Sequence, residues 1–172
     1  MNNIKKFISE DKIEKRVKEL SKLLYDLYKD EEVTFVCTLK GAVFFCCDLM
    51  KEYKGNATLS FIRVSSYNGE NSTGNISLKI PLNKDNIEGK NVLIIEDIVD
   101  TGITMNYLRN YIKSMNPKTI KACTLLNKES RRIINVPVEY KGFDIDDLFV
   151  IGYGLDLDEK YRNLPFIGIY NK

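Results

Sequence analysis

Val92-Leu93-Ile94-Ile95-Glu96-Asp97-Ile98-Val99-Asp100-Thr101-Gly102-Ile103-Thr104 runs from four apolar residues into two adjacent acids, two more apolar residues and a short polar turn. The apolar run from Asn91 to Ile95 reads as a buried strand, Asp100 to Thr104 as a turn, and Met105 to Ser114 as the helix that follows. Such a turn brings backbone N–H groups, two hydroxyls and a helix N-terminus together, which is the chemistry of a phosphate cradle. Gly102 lets the backbone approach an anion closely. Glu96 and Asp97 accept hydrogen bonds only, so they suit the hydroxyls of a sugar or the water shell of Mg²⁺. A phosphorylated sugar fits both halves, whereas a solvated strand end with an acidic turn accounts for either half alone.

Outward from this stretch, strands and helices alternate. Ser9 is placed to cap a helix whose first turn holds Glu10 and Asp11 and whose apolar stripe is Ile13, Val17, Leu20, Leu24 and Leu27. Val33 to Leu39 reads as a strand ending at Lys40-Gly41, Ala42 to Tyr53 as a largely buried helix, Thr58 to Ser66 and Lys118 to Leu126 as further strands. Between Tyr67 and Asn75 lie nine residues dense in Gly, Asn, Ser and Thr, a loop long enough to serve as a lid or binding loop. The alternation predicts an α/β fold with a mainly parallel sheet, helices on both faces and ligands gathered at the carboxyl ends of the strands. The tail from Val136 carries short runs at Val136 to Tyr140 and Phe149 to Gly152, broken by glycines and Pro165, and is expected to form a small hood over the site with the N-terminal segment.

At 172 residues the chain reads as a single domain, and 44% hydrophobic with 29% charged residues is an ordinary folded composition. Twenty-six Lys and Arg against 24 Asp and Glu leave a net charge of +2, too small for a dedicated nucleic-acid binder. The absence of histidine excludes a Ser-His-Asp triad, a His-ligated zinc and a histidine base, so proton transfer falls to carboxylates, lysine, tyrosine or cysteine. Cys37, Cys46, Cys47 and Cys123 lie in apolar runs without CxxC spacing and are expected to be reduced core residues. Met1 to Glu10 is polar, without the apolar stretch of a signal peptide, and no 18-residue apolar run occurs, so a cytoplasmic location with no membrane partner is expected.

The acid pair, the two apolar residues and the Asp-Thr-Gly-x-Thr turn resemble the phosphoribosyl pyrophosphate signature of the type I phosphoribosyltransferases, and Asp100, the third acid, resembles the purine enzymes of that family. Leu39-Lys40-Gly41 resembles the pyrophosphate loop of the hypoxanthine-guanine branch, whose leucine-lysine peptide can be cis. Ser65-Ser66-Tyr67 with Ser72-Thr73-Gly74 resembles its flexible catalytic loop. Leu125-Leu126-Asn127-Lys128 and Phe149-Val150-Ile151-Gly152-Tyr153-Gly154-Leu155-Asp156 resemble the strand and hood that hold the base, and Glu159 to Leu164 the tail of that branch. The match covers nearly the entire chain.

The resemblance implies transfer of a phosphoribosyl group to hypoxanthine and guanine, with pyrophosphate released, and homodimers or homotetramers. It assigns Glu96 and Asp97 to the ribose hydroxyls and one Mg²⁺, Asp156 to a second Mg²⁺, and Lys40, Gly41 and Arg162 to pyrophosphate. By the same resemblance Thr101, Gly102, Ile103 and Thr104 are expected to hold the 5′-phosphate, and Asp100 to take the proton from N7 of the purine. Lys128 and the Val150 N–H present only donors to O6, Phe149 stacks on the ring, Leu155 completes the hood, and Ser66 with Tyr67 begins the closing loop. Ile103 departs from relatives that carry lysine there, which leaves more of the phosphate binding to backbone amides. A xanthine-preferring or pyrimidine-linked relative, an RNA-binding regulator of the same fold and a non-catalytic nucleotide module stay open as alternatives.

Overall fold

The computed structural model describes residues 3–66 and 76–171, which form β1 (Ile4–Ile8), α1 (Glu10–Tyr28), β2 (Val33–Thr38), α2 (Val43–Glu52), β3 (Ala57–Ser66), β4 (Ile76–Ile80), β5 (Asn91–Val99), α3 (Ile103–Lys113), β6 (Thr119–Asn127), β7 (Tyr140–Asp144), β8 (Val150–Ile151) and β9 (Ile167–Tyr170). Six strands make the main sheet in the order β4-β3-β2-β5-β6-β7. All its neighbours run parallel except β3 and β4, so this is the expected α/β architecture with one antiparallel edge. β2 is buried along its whole length and β5 from Asn91 to Glu96, as central strands covered on both faces must be.

The period of two along these strands divides the core. Phe35, Cys37, Leu93 and Ile95 pack toward α1 and α2, while Val36, Val92 and Ile94 pack toward α3. Within α1 the Ser9 hydroxyl accepts from the Lys12 N–H at 3.4 Å, and Ile13, Val17, Leu20, Leu24 and Tyr28 are buried. Tyr28 takes the place expected for Leu27, which is 40% exposed, because a step of four from Leu24 keeps the stripe on the sheet. Of the cysteines, Cys37, Cys46 and Cys123 are buried, but Cys47 lies exposed on the outer side of α2.

A second, three-stranded sheet in the order β1-β9-β8 pairs the start of the chain with its end, Ile4 opposite Tyr170 and Ile8 opposite Ile167. Tyr140–Asp144 instead joins the main sheet beside β6. The residues from Val136 to Glu139 are not strand, so this run begins later than the sequence suggests. Among the described residues no helix is long and apolar enough to cross a membrane.

Candidate active site

β5 extends four residues past Ile95, since β6 pairs with it through Glu96↔Thr124, Ile98↔Leu126 and Val99↔Asn127. The acid pair therefore sits inside the strand rather than beyond it, and α3 starts at Ile103, two residues earlier than expected. Gly102 caps that helix at φ 84°, and a side chain there would run into the Ile134 carbonyl. The turn is tied from behind by the Ile133 and Ile134 N–H groups, which donate to the Thr101 carbonyl at 2.9 and 3.0 Å. A cavity of about 270 Å³ lies over the turn, lined by Glu96 to Gly102, Thr104 and Met105. The first N–H groups of α3 have no carbonyl within the helix to bond, and the positive end of the helix dipole adds to their pull on an anion.

Glu96 is 7% exposed, and burial, reinforced by the charge of Asp97, pushes its carboxyl well above the ordinary range. Burial also raises Asp97, against the opposing effects of Glu96 and of the Ile98 N–H, which donates to Asp97 Oδ1 at 2.8 Å. Glu96 Oε2 and Thr38 Oγ1 are buried without a partner. Two adjacent carboxylates with an orphaned oxygen fit a hard cation such as Mg²⁺ that brings waters and substrate oxygens with it. Among the described residues no three His, Cys, Asp or Glu side chains converge to hold an ion by themselves.

Above Asp97 lies the loop after β2. Its Leu39–Lys40 peptide is cis, and Gly41 packs so closely on the Asp97 carboxylate that a Cβ there would overlap it. On the other side Gly154, at φ 100°, presses its Cα against the Gly41 carbonyl, leaving no room for a side chain. Arg162 Nη1 donates to the Gly154 carbonyl at 2.6 Å, and its Nη2 stands 2.9 Å from Asp156 Oδ1. Lys40 Nζ donates to Glu159 Oε2 at 2.8 Å. The residues at 152 to 155 are folded back by paired bonds between Gly152 and Leu155, whose side chain is buried.

The remaining side of the site is a chain of ion pairs. Arg131 Nε stands 2.9 Å from Asp100 Oδ1, Arg131 Nη1 stands 2.9 Å from Asp147 Oδ2, and Asp147 Oδ1 is 3.5 Å from Lys128 Nζ. The Arg131–Asp100 contact is an ion pair without hydrogen-bond alignment, for Asp100 Oδ1 has no hydrogen-bond partner. Lys128 is 8% exposed, and its backbone N–H donates to the Val99 carbonyl at 2.9 Å, fixing it beside Asp100. Phe149 leaves 47% of its surface in the open, steadied edge-on by Tyr170 at 6.3 Å between ring centres. The Phe149 carbonyl accepts from the Tyr170 N–H, so antiparallel alternation turns the N–H of Val150, the next residue, away from β9 to the outer edge of the hood sheet.

The phosphoribosyl transferase domain family matches residues 6–158. The chain belongs to the phosphoribosyltransferase family. It is 44% identical over 162 residues to a hypoxanthine-guanine-xanthine phosphoribosyltransferase of Tritrichomonas foetus, covering 94% of this chain and 88% of the relative. A hypoxanthine-guanine phosphoribosyltransferase of Bacillus subtilis is 42% identical, over 96% of this chain and 92% of its own. Among solved structures, a hypoxanthine-guanine phosphoribosyltransferase of Bacillus anthracis superposes with a TM-score of 0.93 at 40% identity, covering 97% of this chain and 98% of that one. The chain's place among phosphoribosyltransferases is thus in the hypoxanthine-guanine branch.

For this phosphoribosyltransferase the structure brings Lys40, Gly41, Asp97, Asp156 and Arg162 into one cluster and Asp100, Lys128 and the turn from Thr101 to Thr104 into its neighbour. Ile103 is half-buried, and its N–H reaches Thr101 Oγ1 at 3.4 Å. Tyr67, the Ser72-Thr73-Gly74 segment and the Ser66 side chain lie outside the described residues. Reading the sequence did not single out Arg131, Asp147 or Glu159 as site residues. Arg131 and Asp147 lie in charge-rich stretches that look the same as a solvated surface, and Glu159 is marked in the sequence only as the start of the branch's tail, with no role of its own.

Proposed function

We propose that this chain transfers the 5-phosphoribosyl group of phosphoribosyl pyrophosphate to N9 of hypoxanthine or guanine, releasing pyrophosphate and forming the purine ribonucleotide in salvage of free bases. The observation that carries this reading is the ion-pair chain from Asp100 through Arg131 and Asp147 to Lys128, which sets a carboxylate and a buried lysine side by side at the rim of the phosphate turn. The whole 172-residue chain acts as one catalytic domain in this reading, in the cytoplasm and as a homodimer or homotetramer.

The helix N-terminus and the hydroxyls of Thr101 and Thr104 bind the 5′-phosphate, with backbone amides carrying what a lysine at position 103 supplies elsewhere. Glu96 and Asp97 hold the ribose hydroxyls and Mg²⁺, and Asp156 lies at the pyrophosphate end. Bound Mg²⁺ supplies positive charge for the oxygens of the leaving group. As the bond from C1 to pyrophosphate breaks and that to N9 forms, N7 grows acidic and gives its proton to Asp100. Lys128 Nζ and the Val150 N–H offer only donors, so a 6-oxo group is accepted and a 6-amino group opposed. The open face of Phe149 stacks on the purine.

The test is nucleotide formation from phosphoribosyl pyrophosphate and Mg²⁺ with hypoxanthine, guanine, xanthine or adenine in turn. Hypoxanthine and guanine are expected to react and adenine to be poorer by about 10⁴. Nucleotide formed from adenine as readily as from hypoxanthine, or from no base at all, overturns the reading.

A further inference from the structure

Two cations face the leaving-group end of the site, and one carboxylate of the chain already engages both. Lys40 Nζ lies 2.8 Å from Glu159 Oε2, and Arg162 Nη2 lies 3.4 Å from the same oxygen while it holds Asp156 at 2.9 Å. Glu159 reaches them from the tip of a two-residue hairpin, in which Leu157 and Lys160 exchange backbone bonds at 3.2 and 3.0 Å. Asp158 and Glu159, at the two central positions, are both left-handed, with φ 51° and 63°. Aspartate suits the first of these positions, whereas the second, held by Glu159, is usually glycine. The Glu159 N–H is tied in turn to Asp156 Oδ2 at 2.9 Å, so the tip is locked to the carboxylate assigned to the second Mg²⁺.

We propose that Glu159 is a displaceable stand-in for pyrophosphate: its carboxylate occupies Lys40 and Arg162 between turnovers, competes with the product for them and so sets how tightly pyrophosphate is held. The inference rests on the reading of Lys40 and Arg162 as the pyrophosphate site. The contact is built to yield. Lys40 and Glu159 are 46% and 62% exposed, where a single ion pair is weak, and a polyanion bearing Mg²⁺ carries far more charge into the same place. Weakening ground-state binding of the product in this way favours its release without touching the reacting carbon.

The experiment is calorimetric titration of the full chain with pyrophosphate and Mg²⁺, comparing wild type with Glu159→Gln and with Glu159→Asn, the second chosen because asparagine suits the left-handed backbone. Both variants are expected to bind pyrophosphate about three- to tenfold more tightly, by removal of a competing exposed ion pair. Their affinity for inosine 5′-monophosphate, which leaves the pyrophosphate site empty, is expected to stay within about twofold. In a Lys40→Met background the gain from Glu159→Gln should shrink, because one of the two shared cations is gone. Wild type that binds pyrophosphate while both variants bind it no more tightly overturns the role of Glu159 alone. Wild type that does not bind pyrophosphate at all overturns the assignment of Lys40 and Arg162 as well.

Discussion

The Cα of Gly41 rests directly on the carboxylate of Asp97, with no space between them for even a methyl group. This contact registers the loop after β2 against the acid-bearing end of β5, two segments that share only strand pairing as far as Cys37↔Ile95. Gly41→Ala is therefore expected to push Asp97 and the loop apart. A displacement of about 1 Å at a reacting site costs about 100-fold in rate, and kcat/KM should fall by at least that much. Gly41 is buried beside the core residue Ala42, so the melting temperature should also drop, by several degrees, about 1–3 kcal/mol for an overpacked site. Steady-state kinetics with calorimetry checks both, and a fully active Gly41→Ala enzyme counts against the packing described.

Lys128 Nζ stands 3.5 Å from Asp147 and is almost buried, an arrangement that holds the ammonium at the rim without neutralising it fully. Lys128→Ala should raise KM for hypoxanthine about tenfold or more, the loss of one charge-assisted hydrogen bond, while KM for phosphoribosyl pyrophosphate changes by less than about threefold. Initial rates with each substrate varied separately make the comparison. Equal losses for both would mean that Lys128 supports the site as a whole rather than reading the base.

Burial raises the Glu96 carboxyl well above 4.5, so the folded chain binds its proton more tightly than the unfolded chain does. Over the window that starts near 4.5 and extends upward, the folded state carries the extra proton and stability falls as pH rises. Below that window the carboxyl is neutral in both states and contributes nothing. Glu96→Gln removes the penalty, and in the absence of substrate it should raise Tm by about 2–4 °C at pH 8, corresponding to about 1 kcal/mol. The gain should vanish at pH 4, and nucleotide formation should be lost at every pH. Scanning calorimetry from pH 4 to 8 decides it; a Tm difference that does not vary with pH would falsify a raised Glu96 carboxyl.

How far the sequence speaks depends on how local the physics is. The turn from Asp100 to Thr104 was legible because strand, glycine and helix start are all encoded within a dozen residues, whereas Lys128 stood out only through the motif that resembles the family's, a lone lysine after a strand being an ordinary surface residue. The acid pair was legible in chemistry but misplaced, since the length of β5 is decided by its register with β6, some 28 residues away from it in sequence. Tyr28 in place of Leu27 is the same effect on a helix, where one residue of phase decides which side chain meets the sheet. Arg131, Asp147 and Glu159 were invisible because their meaning lies in their partners. Lys40 and Glu159 are 119 residues apart, and nothing near either one announces the pairing. Sequence periodicity reports burial, whereas surface charges that meet at a site carry no period at all.

Arg131 places a guanidinium 2.9 Å from Asp100 and is itself paired with Asp147, whose carboxyl the hydrogen bond from Arg131 holds below the usual carboxylate range. Asp100 is thereby held beside Lys128, whose N–H donates to the Val99 carbonyl, while its Oδ1 keeps an unused acceptor site. Asp100→Asn preserves the shape and removes the carboxylate proposed to take the N7 proton, so kcat should fall about 100-fold or more with little change in KM for phosphoribosyl pyrophosphate. Arg131→Ala leaves the base in place but loses its tether, and a smaller fall, about tenfold, is expected in kcat. The two together should cost scarcely more than Asp100→Asn alone, because a tether for an absent base has nothing left to position. Additive losses in the double variant would show Arg131 acting on the substrate directly and would remove it as the residue that aims Asp100.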